Sequence, residues 1–268
     1  MTAELVKAQM DGDVLVVRLS APKTRNSLTN ELRAALGAVI EDAEARRDVR
    51  ALYLTGEGPS FCSGGDLRML QTACDPWPVH RRFRNHARWL APLIQLDKPV
   101  VVGVNGHAVG GGMGLALAGD VIVAAESAKF MAGFFRLGAV PDIGMMYHLP
   151  RLVGMARARQ FLFGNLTLSA REAADWGIVS AVVPDDQLFE KGLAEARRLA
   201  SGPAEVMGLA KNLLARSYES SLADMLGLEG LGQALAMSNP EFREGLSAAL
   251  ENRRPDFVRA ARPESGSK

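Results

Sequence analysis

The sequence predicts an α/β fold, and three observations carry that prediction. Apolar, β-branched runs recur along the first two-thirds of the chain, segments of helical periodicity separate them, and beyond about residue 186 only the helical period remains. "VLVVRLS" (14–20) and "VRALYLTG" (49–56) read as strands, and between them Leu28, Leu32, Leu36, Val39, Ile40 and Ala43 fall at helical spacing. The order repeats: "PVVVGVNG" reads as a buried strand, "GGMGLALAG" as a short helix of small residues and "DVIVAAE" as a further strand. "LVGMARARQFLFG" then reads as a helix ending at Gly164. "LSAREAADWG" opens with Ser169 and Glu172 at capping-box spacing and closes on Gly177, and "IVSAVVP" is the last strand. The remainder is helical, punctuated at "SGP" and "SNP", with a polar tail "RPESGSK". The expected organisation is a core over residues 1–185 and a helical region over residues 186–268.

Composition narrows the function classes. At 268 residues and 48% hydrophobic content the chain can bury a full core. With 31 basic and 30 acidic residues it carries a formal charge of +1, which gives no electrostatic footprint for nucleic acid or an anionic membrane. No signal-peptide pattern opens the sequence and no apolar run reaches the ~20 residues that span a bilayer, so a cytoplasmic location is expected. Cys62 and Cys74 are too few for a disulfide framework or a zinc site, and no His, Cys and carboxylate cluster has ligand spacing, so reduced thiols and no metal are expected.

Two glycine-rich runs raise the question of function: "SFCSGGDL" (60–67) and "GHAVGGGMG" (106–114). Consecutive glycines are entropically costly to order, so something must approach this backbone closely. Neither the dinucleotide fingerprint G-x-G-x-x-G nor the phosphate loop G-x-x-x-x-G-K-[ST] fits. Two readings of the residues remain: backbone N–H groups at a strand-to-helix turn that hold a developing negative charge, or glycines that only permit tight packing.

"SFCSGGDL", "KPVVVGVNGHAVGGGMGLALAGD", "AKFMAGFFRLGAVPDIG" and "LSAREAADWGIVSAVV", in this order and spacing, resemble the crotonase superfamily, the enoyl-CoA hydratase/isomerase family, over nearly the whole chain. The resemblance implies a spiral of ββα units followed by a helical C-terminal trimerisation region, with homotrimers or dimers of trimers. It implies an acyl-CoA thioester as substrate, coenzyme A being part of that substrate and no further cofactor being needed. It implies that the backbone N–H groups of Gly65 and Gly111 hold the thioester oxygen while an enolate forms. It also places the segment Ser63, Asp66 and Leu67 around the adenine of CoA and sets Lys23 and Arg25 near its phosphates; a solvated loop is the other reading of those two cations.

The reaction depends on the acid/base residues. Hydratases of this family carry two glutamates, and the matching places here hold Gly114 and Phe134. Adding water requires one group to activate it and one to protonate the α-carbon, so this sequence departs from a standard hydratase. The carboxylate that remains is Asp142 of "GAVPDIG", a setting resembling that of family isomerases and of a dehalogenase subgroup. Phe134, Phe135, Met145, Met146 and Tyr147 are its expected apolar neighbours, and such surroundings favour a carboxyl that both takes and returns a proton. The expected substrate pocket is Met69, Met113, Phe134 and Met145. The resulting expectation is an enoyl-CoA isomerase with Asp142 as proton shuttle; the alternatives are a hydratase with atypical acid/base residues or a catalytically weak acyl-CoA-binding scaffold.

Other groups carry less. Cys62 or Ser63 as nucleophile with His107 as base would make an acyl-transfer enzyme, but the thiol follows an aromatic residue at a strand end, where it reads as packing. His80, His86 and His148 read as solvent-facing or capping, and Asp66 and Asp120 as holders of backbone N–H groups beside glycine turns. "NLT" at Asn165 is a chance sequon. "WPVHRRFRNHARWL" is a candidate cover for the acyl pocket.

Overall fold

The computed structural model describes residues 4–68 and 76–261. Its first sheet has six strands in the order β1 (Val6–Asp11), β2 (Val14–Leu19), β3 (Ala51–Gly56), β5 (Val100–Val104), β7 (Val121–Ala125) and β10 (Ala181–Val183). β1 pairs antiparallel with β2, and all later pairs are parallel. A second sheet of four short strands runs β4 (Ser60–Cys62), β6 (His107–Val109), β8 (Lys129–Met131) and β9 (Thr167–Ser169); only β8 and β9 are antiparallel.

The two sheets explain the alternation in the sequence. β3 and β4, β5 and β6, and β7 and β8 each give one strand to either sheet, and each pair is followed by helix before the chain returns. Parallel neighbours require such crossovers. The α/β class, the spiral of ββα units and the helical C-terminal region are therefore as expected.

Residue type explains why the elements form. Every residue of β5, "VVVGV", is buried, as a parallel strand covered on both faces demands. Helix α1 (Asn30–Ala45) begins at Thr29, whose hydroxyl accepts the Leu32 N–H at 3.2 Å, and it buries Leu32, Leu36, Ile40 and Ala43. Burial of such side chains contributes on the order of 1.5–3 kcal/mol each. The helix over Met145–Phe163 is kinked at Gly154, whose φ of 77° departs from helical geometry, and it ends at Gly164 as expected. Ser169 and Glu172 form the expected capping box.

Beyond residue 186 the chain is helical: Leu188–Ala200, Ala204–Leu214, Leu222–Ser238, Pro240–Leu250 and Phe257–Ala261. The first of these belongs to the core layer, since Gly192 packs on the ring of Tyr53 in β3, and the Tyr53 hydroxyl donates to Leu188 O at 3.3 Å. A buried ion pair fastens the later helices: Arg50, just before β3, meets Glu241 at 2.8 Å and donates to the carbonyls of Ala200 and Gly202. Among the described residues no helix is long and apolar enough to cross a membrane.

Candidate active site

The register of the second sheet brings the two glycine runs together. Cys62 in β4 is the partner of Ala108 in β6, so Gly65 and Gly111 each lie three residues past a matched position. Both chains leave their strands in the same direction, and their turns lie side by side. A side chain begun at Gly64 would stand 3.0 Å from the nitrogen of Gly111. Met131 ends β8 opposite Val109, so residues 132–134 form a third wall on the same side. Ligand sites beyond the carboxyl ends of parallel strands follow from this geometry, because the loops converge there while the sheet holds them rigid.

The converging loops enclose a cavity of about 330 Å³, lined by Ser63, Gly65, Asp66, Leu67, Gly111, Phe134 and Asp142 among others. Five of the residues expected at the thioester and CoA positions, together with Phe134 and Asp142, thus share one space. Its wall is mostly apolar, with Leu28, Val109, Met131 and Ile143 around the polar groups. Neither the Gly65 nor the Gly111 N–H donates to a protein acceptor among the described residues, so both are available to an oxygen placed between the turns.

Gly111 opens the short helix Gly111–Ala116. Its neighbour Gly112 has a packing reason to lack a side chain, because a Cβ there would overlap the carbonyl of Cys62 in β4. The tight-packing reading of the glycines therefore holds at Gly112, while Gly111 faces the cavity.

Asp142 reaches the site from the loop before the helix Met145–Phe163. Its Oδ1 lies 3.6 Å from the point where a Cβ on Gly111 would stand. Its backbone is fixed by a turn in which Met145 N–H donates to Asp142 O at 3.1 Å.

Lys23 and Arg25 are exposed and do not line the cavity. They sit beside it on a laced loop: Ser63 N–H donates to Arg25 O at 3.0 Å, and Ser63 Oγ to Thr24 O at 3.3 Å. The loop is held from beneath by Asn26, fully buried, whose side-chain amide donates to the carbonyls of Glu57, Ser60 and Phe61.

The pocket expectation needs correction. Met113 and Met145 are fully buried in the core and are not among the residues that line the cavity, because their apolar side chains pack between elements rather than beside the loops. Phe135, Met146 and Tyr147 do not line it either; of the expected apolar neighbours of Asp142, Phe134 alone does. Met69 and Cys74 lie outside the described residues.

His86 is buried rather than solvent-facing, lines the cavity with Phe83, and contacts an Arg33 guanidinium nitrogen at 2.6 Å. Both aromatics come from "WPVHRRFRNHARWL", the segment expected to cover the acyl pocket. Arginine has no acceptor, so His86 Nε2 must present its lone pair to Arg33. The sequence reading missed His86, Arg33 and Arg136, because no local spacing links residues that only the fold brings together.

His148 is also not solvent-facing: burial, assisted by the charge of Arg151, pushes its imidazole down to about 4. The Cys62 thiol is fully buried and pushed up to about 12, whereas His107 on the neighbouring strand is exposed, an arrangement that does not favour a thiolate–imidazole pair. Asp66 and Asp120 hold backbone N–H groups as expected, of Arg68 at 2.9 Å and Val100 at 2.7 Å. Among the described residues no cluster of three His, Cys, Asp or Glu side chains could hold a metal ion.

Comparison with known proteins agrees with this geometry. A family model described as enoyl-CoA hydratase/isomerase matches residues 9–260. The chain is 38% identical to the 1,2-epoxyphenylacetyl-CoA isomerase of Escherichia coli K12 over 95% of this chain and 98% of that one. It is 35% identical to a Rhodobacter capsulatus protein described as a probable enoyl-CoA hydratase, over 96% and 99% of the two chains. The crystal structure of an enoyl-CoA hydratase/isomerase from Cupriavidus metallidurans superposes with a TM-score of 0.90 at 32% identity, covering 96% of this chain and 97% of that one. Fold, paired glycine turns and full-length similarity lead to one conclusion: the chain is an acyl-CoA enzyme of the enoyl-CoA hydratase/isomerase family, within the crotonase superfamily.

Proposed function

We propose that this enzyme is an enoyl-CoA isomerase in which Asp142 shuttles a proton between two carbons of the acyl group. The thioester oxygen sits between the N–H groups of Gly65 and Gly111. The Asp142 carboxylate takes a proton from C2 of a 3-enoyl-CoA, the electron pair passes to the held oxygen as an enolate, and the same carboxyl returns the proton at C4, leaving the double bond between C2 and C3. Coenzyme A enters and leaves as part of the substrate, with Ser63, Asp66 and Leu67 along its path and Lys23 and Arg25 beside its phosphates. The chain works as a homotrimer or a dimer of trimers.

The observation that carries this reading is the 3.6 Å between Asp142 Oδ1 and the Cβ position of Gly111. It supports Asp142 as the base that acts on the carbon next to the thioester. Hydration would need a second group to activate water. Among the described residues the carboxylates lining the cavity are those of Asp66 and Asp142, and Asp142 is the one beside Gly111. The E. coli relative is named an isomerase and the R. capsulatus relative a probable hydratase, so the choice between the two reactions rests on Asp142.

The test is a side-by-side assay of wild type and Asp142→Asn. Isomerisation of a 3-enoyl-CoA falls by ~10²–10⁴ in the variant, the usual worth of general acid–base catalysis, while CoA thioester binding persists. Unchanged isomerisation in the variant, or efficient hydration of a 2-enoyl-CoA by wild type without isomerisation, overturns the reading in favour of a hydratase. Tight acyl-CoA binding without exchange of α-protons into deuterated water overturns it in favour of a scaffold.

A further inference from the structure

We infer that Gly114 and Ile143 are the positioning residues of the Asp142 carboxylate: the bare helix face at Gly114 lets a strained Ile143 seat, and that seating aims Asp142 at Gly111. The inference rests on the reading of Asp142 as proton shuttle and adds how its place is set.

Three observations converge. A Cβ on Gly114 would stand 2.6 Å from Ile143 O, 2.9 Å from Ile143 Cβ and 3.2 Å from Asp142 O. Two of those three neighbours are backbone atoms, so no side-chain rotation could make room; the loop itself would have to lift. Ile143 has φ 51°, and it is the one β-branched residue among the described non-glycine residues with positive φ. A β-branched side chain is a steric outlier in that region, and such a conformation persists only where its surroundings impose it. The imposing contact is visible: Ile143 is buried, and its Cγ1 lies 3.1 Å from the Cβ position of Gly111.

Ile143 therefore spans one helical turn, with its side chain over Gly111 and its backbone over Gly114, and Asp142 precedes it on the cavity side. Displacement of a reacting group by ~1 Å costs ~10²-fold in rate. Gly114 thus acts on the reaction without touching substrate, by setting the height of the loop that holds the base.

Gly114→Ala tests this. The methyl lifts residues 142–143, so kcat for isomerisation falls ~10²-fold, while binding of butyryl-CoA, a saturated thioester, changes less than about threefold. The decisive arm is the longer carboxylate. Asp142→Glu lowers the rate in the wild-type background, but in Gly114→Ala it reaches back across the enlarged gap and raises the rate at least ~3-fold over the single variant. A lost fold or a general packing defect would not be rescued in this way. Ile143→Gly, which adds no atoms, is the second variant should Gly114→Ala fold poorly. It frees the strained linkage, and kcat falls at least ~10-fold with a native circular dichroism spectrum.

Full activity of Gly114→Ala, or Asp142→Glu lowering the rate by the same factor in both backgrounds, overturns the positioning role. Failure of the underlying reading looks different: there, Asp142→Asn is as active as wild type.

Discussion

Asp142 and Gly111, thirty-one positions apart in sequence, meet with a carboxylate oxygen 3.6 Å from where a side chain on the glycine would begin. On the proposed reading this carboxylate and the Gly111 N–H act on adjoining atoms of one substrate, the amide on the thioester oxygen and the carboxylate on the neighbouring carbon.

That relationship sets the first prediction. A Cβ at Gly111 falls 3.1 Å from Ile143 Cγ1 and 3.2 Å from Leu28 Cδ1, side-chain rather than backbone atoms. Gly111→Val should therefore stay folded but fill the space of the thioester. Turnover falls by at least the ~10²–10³ that loss of one such donor costs, with a native circular dichroism spectrum. A fully active variant would remove Gly111 from the site.

The sequence made the glycine runs, the longer strands and the helix caps legible because each is a local signal. Ser169 and Glu172 cap their helix as spacing predicts. The three-residue strands β4, β6, β8 and β9 were not legible, whereas β10, equally short, was, because it sits in the longer apolar run "IVSAVV". β1 was missed too, its polar edge residues masking the alternation. Without the second sheet, no spacing rule places Gly65 next to Gly111, and the family resemblance alone joined them. Met113 and Met145 were misplaced because apolar character does not tell a pocket wall from a core, and His86 was missed because its partner Arg33 lies on another helix.

A second prediction concerns acid stability. The folded-state pKa of His148 is depressed by burial, and by the Arg151 charge, from 6.5 to about 4, and among the described residues its buried Nε2 has no hydrogen-bond partner. The unfolded chain therefore binds this proton first. The stability it contributes is fully present above pH 6.5 and is lost as pH falls toward about 4, on the order of 2 kcal/mol for this half-buried group. Urea denaturation at pH 7 and pH 4.5 should show a smaller acid loss for His148→Leu than for wild type. Equal losses would assign the acid sensitivity elsewhere.

The third concerns the fastening of the C-terminal helices. Arg50 and Glu241 have side chains 6% and 0% exposed, so removing one partner leaves the other buried without its counter-charge. Arg50→Met should cost ~3–5 kcal/mol in urea unfolding, and adding Glu241→Leu should recover much of it, because an apolar pair carries no desolvation penalty. A double variant no more stable than Arg50→Met would show that the carbonyl contacts of Arg50 to Ala200 and Gly202 carry the loss instead.

The last prediction is assembly. The helix Leu222–Ser238 buries Gly232 and Ala236 against its own chain, yet Leu222, Leu226, Leu231 and Leu235 stay exposed at 77%, 57%, 73% and 62%. At 100° per residue, Leu222 and Leu226 fall on one flank and Leu231 and Leu235 on the opposite one. A helix apolar on both flanks is a buried helix, and a patch of this kind on an otherwise charged surface marks an interface. Met225 and Leu228, half-buried, continue the apolar surface. Closed symmetry would let each copy cover the flanks of its neighbours, as a ring of three does through one repeated contact. Sedimentation equilibrium should give a trimer or a hexamer at micromolar concentration, and Leu226→Glu with Leu231→Glu should shift the mass toward the 28.7 kDa of one chain. A wild-type monomer at that concentration would sink the claim and leave these leucines unexplained.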